Sequence, residues 1–236
     1  MDEIKKFWPE KAPNINIVQK YVSKYEKEKI VIKYGGNVLI DRKVFNNFIS
    51  DIDVLNKLGL SIIVVHGGGP RIKRELDKKK IVSKFINGLR VTDKNIIDTV
   101  EKVLIDFNID IVNSLKKLGS EGASFHTKKN CVIEVEPERE ELGFVGVPKK
   151  ININLIEDAL NKNKIPIIAP LGLGENNQTF NINGDTAASA IAKKLKARRL
   201  ILMTNVEGVY DDKKNLISEI KPFDLDNLIK WKIVEG

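Results

Sequence analysis

An apolar run, three consecutive glycines and a proline stand in the order Val64-Val65-His66-Gly67-Gly68-Gly69-Pro70. Three glycines are more than a tight strand–helix turn requires, and they leave no Cβ between the backbone and whatever lies above it. Their N–H groups face the start of a helix, where the dipole also favours negative charge. The segment reads as an anion site between a buried strand and a helix. A second glycine pair, Gly35-Gly36, caps an earlier strand whose end carries Lys33. Two such strand ends in one chain predict two negatively charged ligands brought together.

Strand and helix signals alternate from residue 30 onward. Residues 30–32 and 61–65 read as short buried strands. Residues 44–58 and 70 to about 79 read as helices, with Gly59 ending the first and Pro70 in the first turn of the second. Asp93 is placed to cap a long helix that reaches Leu118 and ends at Gly119. Residues 123–149 read as strands and hairpins, with 131–135 the clearest strand. Further on come a helix over 154–161, a strand over 165–168, an Ala-rich helix over 186–197 and a strand over 200–203. A strand–turn signal, Val209-Tyr210-Asp211-Asp212, and another helix follow. This alternation predicts an α/β protein with a mainly parallel sheet and helices on both faces. Residues 1–29 stand apart as an appendage. Ile17, Val18, Tyr21, Val22 and Tyr25 would share one face of a helix, which either packs on its own subunit or docks a partner.

The 236 residues suffice for one large α/β domain or two smaller lobes. No apolar run approaches the ~18 residues of a membrane helix, and no apolar signal core opens the sequence. Cys131 is the single cysteine, which excludes an internal disulfide and a cysteine-built zinc site and suits a reducing cytoplasm. His66 and His126 are the only histidines, so a multi-histidine metal site is excluded as well. The net charge of +8 reads as a lysine-rich solvated surface. Runs such as Lys78-Lys79-Lys80 carry no interleaved aromatics, so the charge does not single out nucleic acid and would equally suit small anionic substrates.

Four short constellations could carry chemistry. In Lys33-Tyr34-Gly35-Gly36-Asn37 the lysine either reaches a phosphoryl oxygen beside bare backbone N–H groups or merely ends a strand in solvent. The glycine triplet is the second. In Asn87-Gly88-Leu89-Arg90-Val91-Thr92-Asp93, Arg90 sits on a glycine-containing loop, where it either grips a carboxylate in a fork or lies on the surface. In Phe180-Asn181-Ile182-Asn183-Gly184-Asp185-Thr186, Asn181 and Asn183 alternate and should face the same way. On local physics Asp185 is the cap of the following helix, and a capping carboxylate can still face a site lined with lysines. Neither G-x-x-x-x-G-K-[ST] nor G-x-G-x-x-G after a strand is present.

Taken in order, these four pieces resemble the amino-acid kinase family, from about residue 30 to 236. Asn87 to Thr92 points to the branch acting on N-acetyl-L-glutamate in arginine biosynthesis, and Thr204-Asn205-Val206-Glu207-Gly208-Val209-Tyr210 looks like the family's nucleotide-binding turn. The resemblance implies an open three-layer α/β/α sandwich. It implies a lobe over 30–170 for N-acetylglutamate and a lobe over 171–236 for nucleotide, with the γ-phosphoryl of ATP passing to the side-chain carboxylate of the substrate. Carried onto this sequence, Lys33 and Asp185 would be catalytic, the lysine stabilising the transferring group and the aspartate organising it. Gly35 and Gly36 would donate N–H groups to the phosphoryl. Gly68 and Gly69 would hold the attacking carboxylate, and Arg90 and Asn181 the substrate's other end. Asn205, Val206, Gly208, Val209 and Tyr210, with Ile233, Val234 and Glu235, would line the nucleotide. Mg2+ would arrive with ATP and be held mainly by phosphate oxygens rather than by a protein metal site. The resemblance also makes the N-terminal helix an element linking dimers into a hexamer.

The same resemblance marks departures. The family's second catalytic lysine belongs to a Gly-Met-x-x-Lys-like segment a few residues past Gly236, so the sequence reads as C-terminally incomplete. Asn205 stands where the family usually has aspartate, and residues 124–130 depart from its Gly/Asp-rich turn. Two other functions therefore stand beside the first. One is a non-catalytic regulatory relative, and the other a kinase of another acidic substrate such as a carrier-linked aminoadipate.

Overall fold

The computed structural model describes residues 8, 12–26, 28–35, 41–204 and 206–230. In chain order its elements begin with α1 (Ile15–Tyr25), β1 (Lys29–Tyr34), α2 (Arg42–Lys57), β2 (Ser61–His66) and α3 (Gly69–Lys78). A small hairpin, β3 (Phe85–Ile86) and β4 (Leu89–Arg90), precedes the long helix α4 (Lys94–Lys117). Then come β5 (Gly122–Phe125), β6 (Ile133–Pro137), β7 (Gly146–Ile151), α5 (Ile153–Asn161) and β8 (Ile165–Ile168). The last are β9 (Leu171–Leu173), β10 (Thr179–Asn181), α6 (Gly184–Leu195), β11 (Arg199–Met203) and α7 (Pro222–Lys230).

Five strands form a fully parallel sheet in the order β11-β1-β2-β8-β5. Its middle strands are apolar at successive positions because both faces are covered. Alternate side chains go to opposite layers. Ile30, Ile32 and Tyr34, with Ile62 and Val64, pack against Phe48, Ile49 and Ile52 of α2 and Phe107 and Ile111 of α4. Val31, Ile63 and Val65 pack the other way, against Ala187, Ala188 and Ile191 of α6. Tyr34 and Phe48 stack with ring centroids 3.8 Å apart. A second sheet, β10-β9-β6-β7, carries the remaining strands apart from the β3–β4 hairpin. Both sheets draw strands from each side of residue 170, since β11 joins β1 while β9 and β10 join β6 and β7.

The helix starts are chemically marked. Asp41 accepts from the N–H groups of Lys43 and Val44, and Asp93 from those of Asn95 and Ile96. The cap of α6 differs from the sequence expectation. Asn183, not Asp185, accepts from the N–H groups of Asp185 and Thr186, so the Asp185 carboxylate is left for another partner. The clearest strand in the 123–149 region begins at Ile133 rather than at Cys131. α1 forms as expected. Its Tyr25 packs against the layer under β1, while Ile17 stays 54% exposed. Among the described residues no helix is long and apolar enough to cross a membrane.

Candidate active site

β1, β2 and β8 run parallel, so their carboxyl ends meet at one edge of the sheet, the usual place for a ligand in an α/β fold. Lys33 lies one residue before the end of β1, in register with Val65 of β2. β2 ends at His66 and passes through Gly67 and Gly68 into α3, with Gly68 as the cap residue and Pro70 in the first turn. Gly68 has no side-chain cap partner, so the start of α3 presents bare backbone N–H groups.

A cavity of about 230 Å³ opens at this edge. Seven of the residues singled out above line it together: Lys33, Gly35, Gly68, Gly69, Arg90, Asn181 and Asp185. Lys33 Nζ lies 3.0 Å from Asp185 Oδ1, with the lysine side chain 13% exposed and the aspartate 53%. Lys33 is therefore a partly buried ammonium held at the cavity, and the alternative of a lysine ending its strand in solvent fails.

Arg90 differs in local context from the loop expected for it. Asn87 and Gly88, with φ of +48° and +76°, form the two-residue turn between β3 and β4, and Arg90 ends the second strand. Positive φ at both central positions is what a tight hairpin needs, and Asn-Gly supplies it. The guanidinium is buried, lies 4.7 Å over the Phe85 ring, donates to the Ser83 hydroxyl and reaches the Gly69 carbonyl at 3.3 Å. Burial pulls its pKa below the ordinary arginine value, yet a guanidinium keeps its charge in a protein. A charged fork thus stands beside the glycine turn.

Asn181 comes from β10 on the opposite side. Its Nδ2 donates to Thr92 Oγ1 at 3.4 Å, and that hydroxyl donates to the Arg90 carbonyl at 2.9 Å. The bridging role of Thr92 between Arg90 and Asn181 escaped the sequence reading, and Leu89 and Gly184, which stand in two of the constellations without a role, also line the cavity wall beside Gly67 of the triplet. The Asn181/Asn183 alternation was the available signal for Asn183, which lines the same cavity.

Gly35 and Gly68 have close neighbours, whereas a Cβ on Gly69 would meet nothing within 4 Å. A Cβ on Gly35 would collide with the Lys33 ammonium, and one on Gly68 with Leu104 Cδ2. Among the described residues no cluster of three or more histidine, cysteine or acidic side chains could hold a metal. Residues 28–234 match the amino acid kinase family. The chain belongs to that family.

Its relatives within the amino-acid kinases are close. It is 48% identical over 235 residues to the acetylglutamate kinase of Pelagibacter ubique, covering 100% of this chain and 82% of that one. It is 40% identical over 232 residues to the acetylglutamate kinase of Clostridioides difficile, covering 96% of this chain and 81% of the other. Among solved structures, smu.665 from Streptococcus mutans UA159 superposes with a TM-score of 0.77 at 30% identity, over 88% of this chain and 84% of that chain.

Of the described candidate nucleotide residues of this amino-acid kinase, Gly35 lines the cavity and the four beyond β11 lie apart from it. Val206, Gly208, Val209 and Tyr210 follow β11, whose Met203 is in register with Tyr34, so they emerge at the same sheet edge on the far side of β1. Val206 is 53% exposed, and Tyr210 pairs with Leu216. Gly36, Asn205, Ile233, Val234 and Glu235 fall outside the described residues.

Proposed function

We propose that the chain transfers the γ-phosphoryl of ATP to the side-chain carboxylate of N-acetyl-L-glutamate, a step of arginine biosynthesis. The observation that carries this reading is the single cavity that places a paired lysine, a glycine cradle and a buried arginine together. An oxygen of the substrate carboxylate attacks the γ-phosphorus, the bond to the bridging oxygen breaks, and ADP leaves with that electron pair. The products are ADP and an acyl phosphate. Transfer of this kind asks the protein for positioning and charge stabilisation rather than covalent chemistry.

The residues have separable tasks. Lys33 places positive charge beside the transferring group, and Asp185 at 3.0 Å holds the ammonium in place. Gly35 and Gly36 offer N–H groups to the phosphoryl oxygens, and Gly68 and Gly69 offer theirs to the attacking carboxylate. Arg90 binds the substrate's other carboxylate in a fork, with Asn181 beside it. We assign the nucleotide to Asn205, Val206, Gly208, Val209 and Tyr210, together with Ile233, Val234 and Glu235.

The donor set fits these groups. The cavity wall offers an ammonium, a guanidinium and glycine backbone to phosphate, and Asp185 is the one carboxylate among its described lining residues. One carboxylate already paired to a lysine suits Mg2+ that keeps waters and phosphate oxygens as its main ligands. The exposed Ile17 on α1 supports a dimer, or a hexamer joined through the N-terminal helices. A single cysteine supports placing the reaction in the cytoplasm.

The test is to supply the full-length protein with N-acetyl-L-glutamate and Mg-ATP and to trap the acyl phosphate as its hydroxamate. Hydroxamate appearing in step with ADP is the expected result. ADP formed only with another acidic acceptor, or no turnover with any of them, would overturn the assignment.

A further inference from the structure

His66 ends β2 and is fully buried, yet none of the chemistry above uses it. Both of its ring nitrogens are engaged. Nδ1 lies 3.0 Å from the Gly67 carbonyl oxygen, and Nε2 lies 3.2 Å from Nδ2 of Asn108 on α4. A carbonyl only accepts, so the proton sits on Nδ1 and Nε2 accepts from the amide. The amide itself is oriented from two further elements. Its Nδ2 also donates to the Ile167 carbonyl at 2.9 Å, and the Ser124 hydroxyl donates to its Oδ1. β5 and β8 thus set the tautomer of His66 through Asn108. Burial drives the His66 pKa down to about 4, so the ring stays neutral. Its position is further fixed by the Phe107 ring, met edge-on at 5.1 Å.

The consequence lies one peptide away. In a trans peptide the C=O and the following N–H point in opposite directions. The Gly67 carbonyl turns toward the imidazole, so the Gly68 N–H turns away from it. Gly67 is also anchored by its own N–H, which donates to the Tyr34 carbonyl at 2.6 Å. Gly67 and Gly68 both line the cavity, and the Gly68 N–H has no acceptor among the described residues.

We propose that His66 is a positioning residue: its Nδ1–H holds the Gly67 carbonyl so that the Gly68 N–H is aimed at the oxygen of an anion in the cavity. The role in turnover rests on the phosphoryl-transfer reading given above. Without the Nδ1 donor the Gly67–Gly68 peptide, flanked by glycines, is free to turn. The cradle then loses a preorganised donor while its lysine and arginine remain.

Two substitutions separate this role from packing. An asparagine amide can occupy the place of Nδ1 and keep the donor. A glutamine amide reaches the place of Nε2 and keeps the Asn108 contact without the donor. Both vacate similar space against Phe107, so His66→Asn and His66→Gln should lower the melting temperature to a similar extent. In the hydroxamate assay His66→Gln should lose roughly ten- to a hundredfold in kcat with a smaller change in KM, and His66→Asn should recover most of that loss. Equal losses in the two variants, tracking the melting temperature, would overturn the proposal, as would full turnover in both. Wild-type protein in the same assay reports separately on the substrate assignment. Imidazole 15N NMR of the wild type reads the contact without turnover. A protonated Nδ1 at pH 6 to 8 is expected, and a protonated Nε2 in its place would also overturn the proposal.

Discussion

β1 has two neighbours of the same sequence character that differ in burial among the described residues. Val64 of β2 and Ile201 of β11 flank Ile32 in the same parallel sheet, and both strands are continuous apolar runs. β2 has Ile63, Val64 and Val65 fully buried between α6 on one face and α2 and α4 on the other. β11 is the last strand of the described sheet, with Ile201 45% and Leu202 48% exposed. The turns at their ends differ accordingly. The glycine turn after β2 is held by His66, Asn108 and Tyr34, whereas Val206 beyond β11 is 53% exposed. A strand covered on both faces can hold a backbone turn to the tolerance that charge stabilisation needs, because close-packed interiors yield little. The groups proposed to carry the transfer line the cavity on the β1–β2 side.

Four outcomes would break or sharpen this contrast. The largest is expected for Ile63→Ala, a cavity in the covered layer that should lower unfolding stability by about 2–5 kcal/mol in denaturant titrations. A loss below about 1 kcal/mol would mean that β2 is not the rigid member of the pair. Lys33→Ala, on the strand shared by both neighbours, should reduce turnover about a hundred- to a thousandfold, with little change in stability. Wild-type-like turnover would remove β1 from the chemistry.

Acid is the third probe. Burial, the leading cause, lowers the His66 pKa from 6.5 to about 4 in the folded protein, with smaller contributions from Arg71 and His126. Between those two values the unfolded chain binds the extra proton, so stability falls as pH drops from 6.5 toward 4. Taken in full, the shift corresponds to about 3 kcal/mol, and His66→Asn should flatten the profile. The smallest effect belongs to the open strand: Ile201→Ala should change stability by no more than about 0.5 kcal/mol. A loss comparable to that of Ile63→Ala would show that β11 is covered in solution.

The parts of the site that were legible from the chain are those with a local cause. Asp93 caps α4 because its side chain reaches N–H groups two and three residues on, and Pro70 falls where its missing N–H costs nothing. The glycine turn was legible for the same reason. Asp185 was not. Two good capping residues lie two positions apart, and the local reading favours Asp185, whereas the structure gives the cap to Asn183. The choice became visible only once Lys33, carried in from β1, stood 3.0 Å from the Asp185 carboxylate while Asn183 took the cap. Thr92 was hidden likewise, since its hydroxyl gains meaning only between Arg90 and Asn181. The short strands β9 and β10 gave too few alternating positions to stand out.

The sequence by itself determined the alternation of strands and helices, the two glycine-bearing strand ends and the types of charge beside them. Those follow from apolar period, capping and backbone freedom over a few neighbouring residues. The tertiary structure alone decided which carboxylate meets the lysine. It also decided which way the Gly67–Gly68 peptide points. Each of those depends on groups brought together from distant parts of the chain, and burial, hydrogen-bond direction and charge pairing exist only after that assembly.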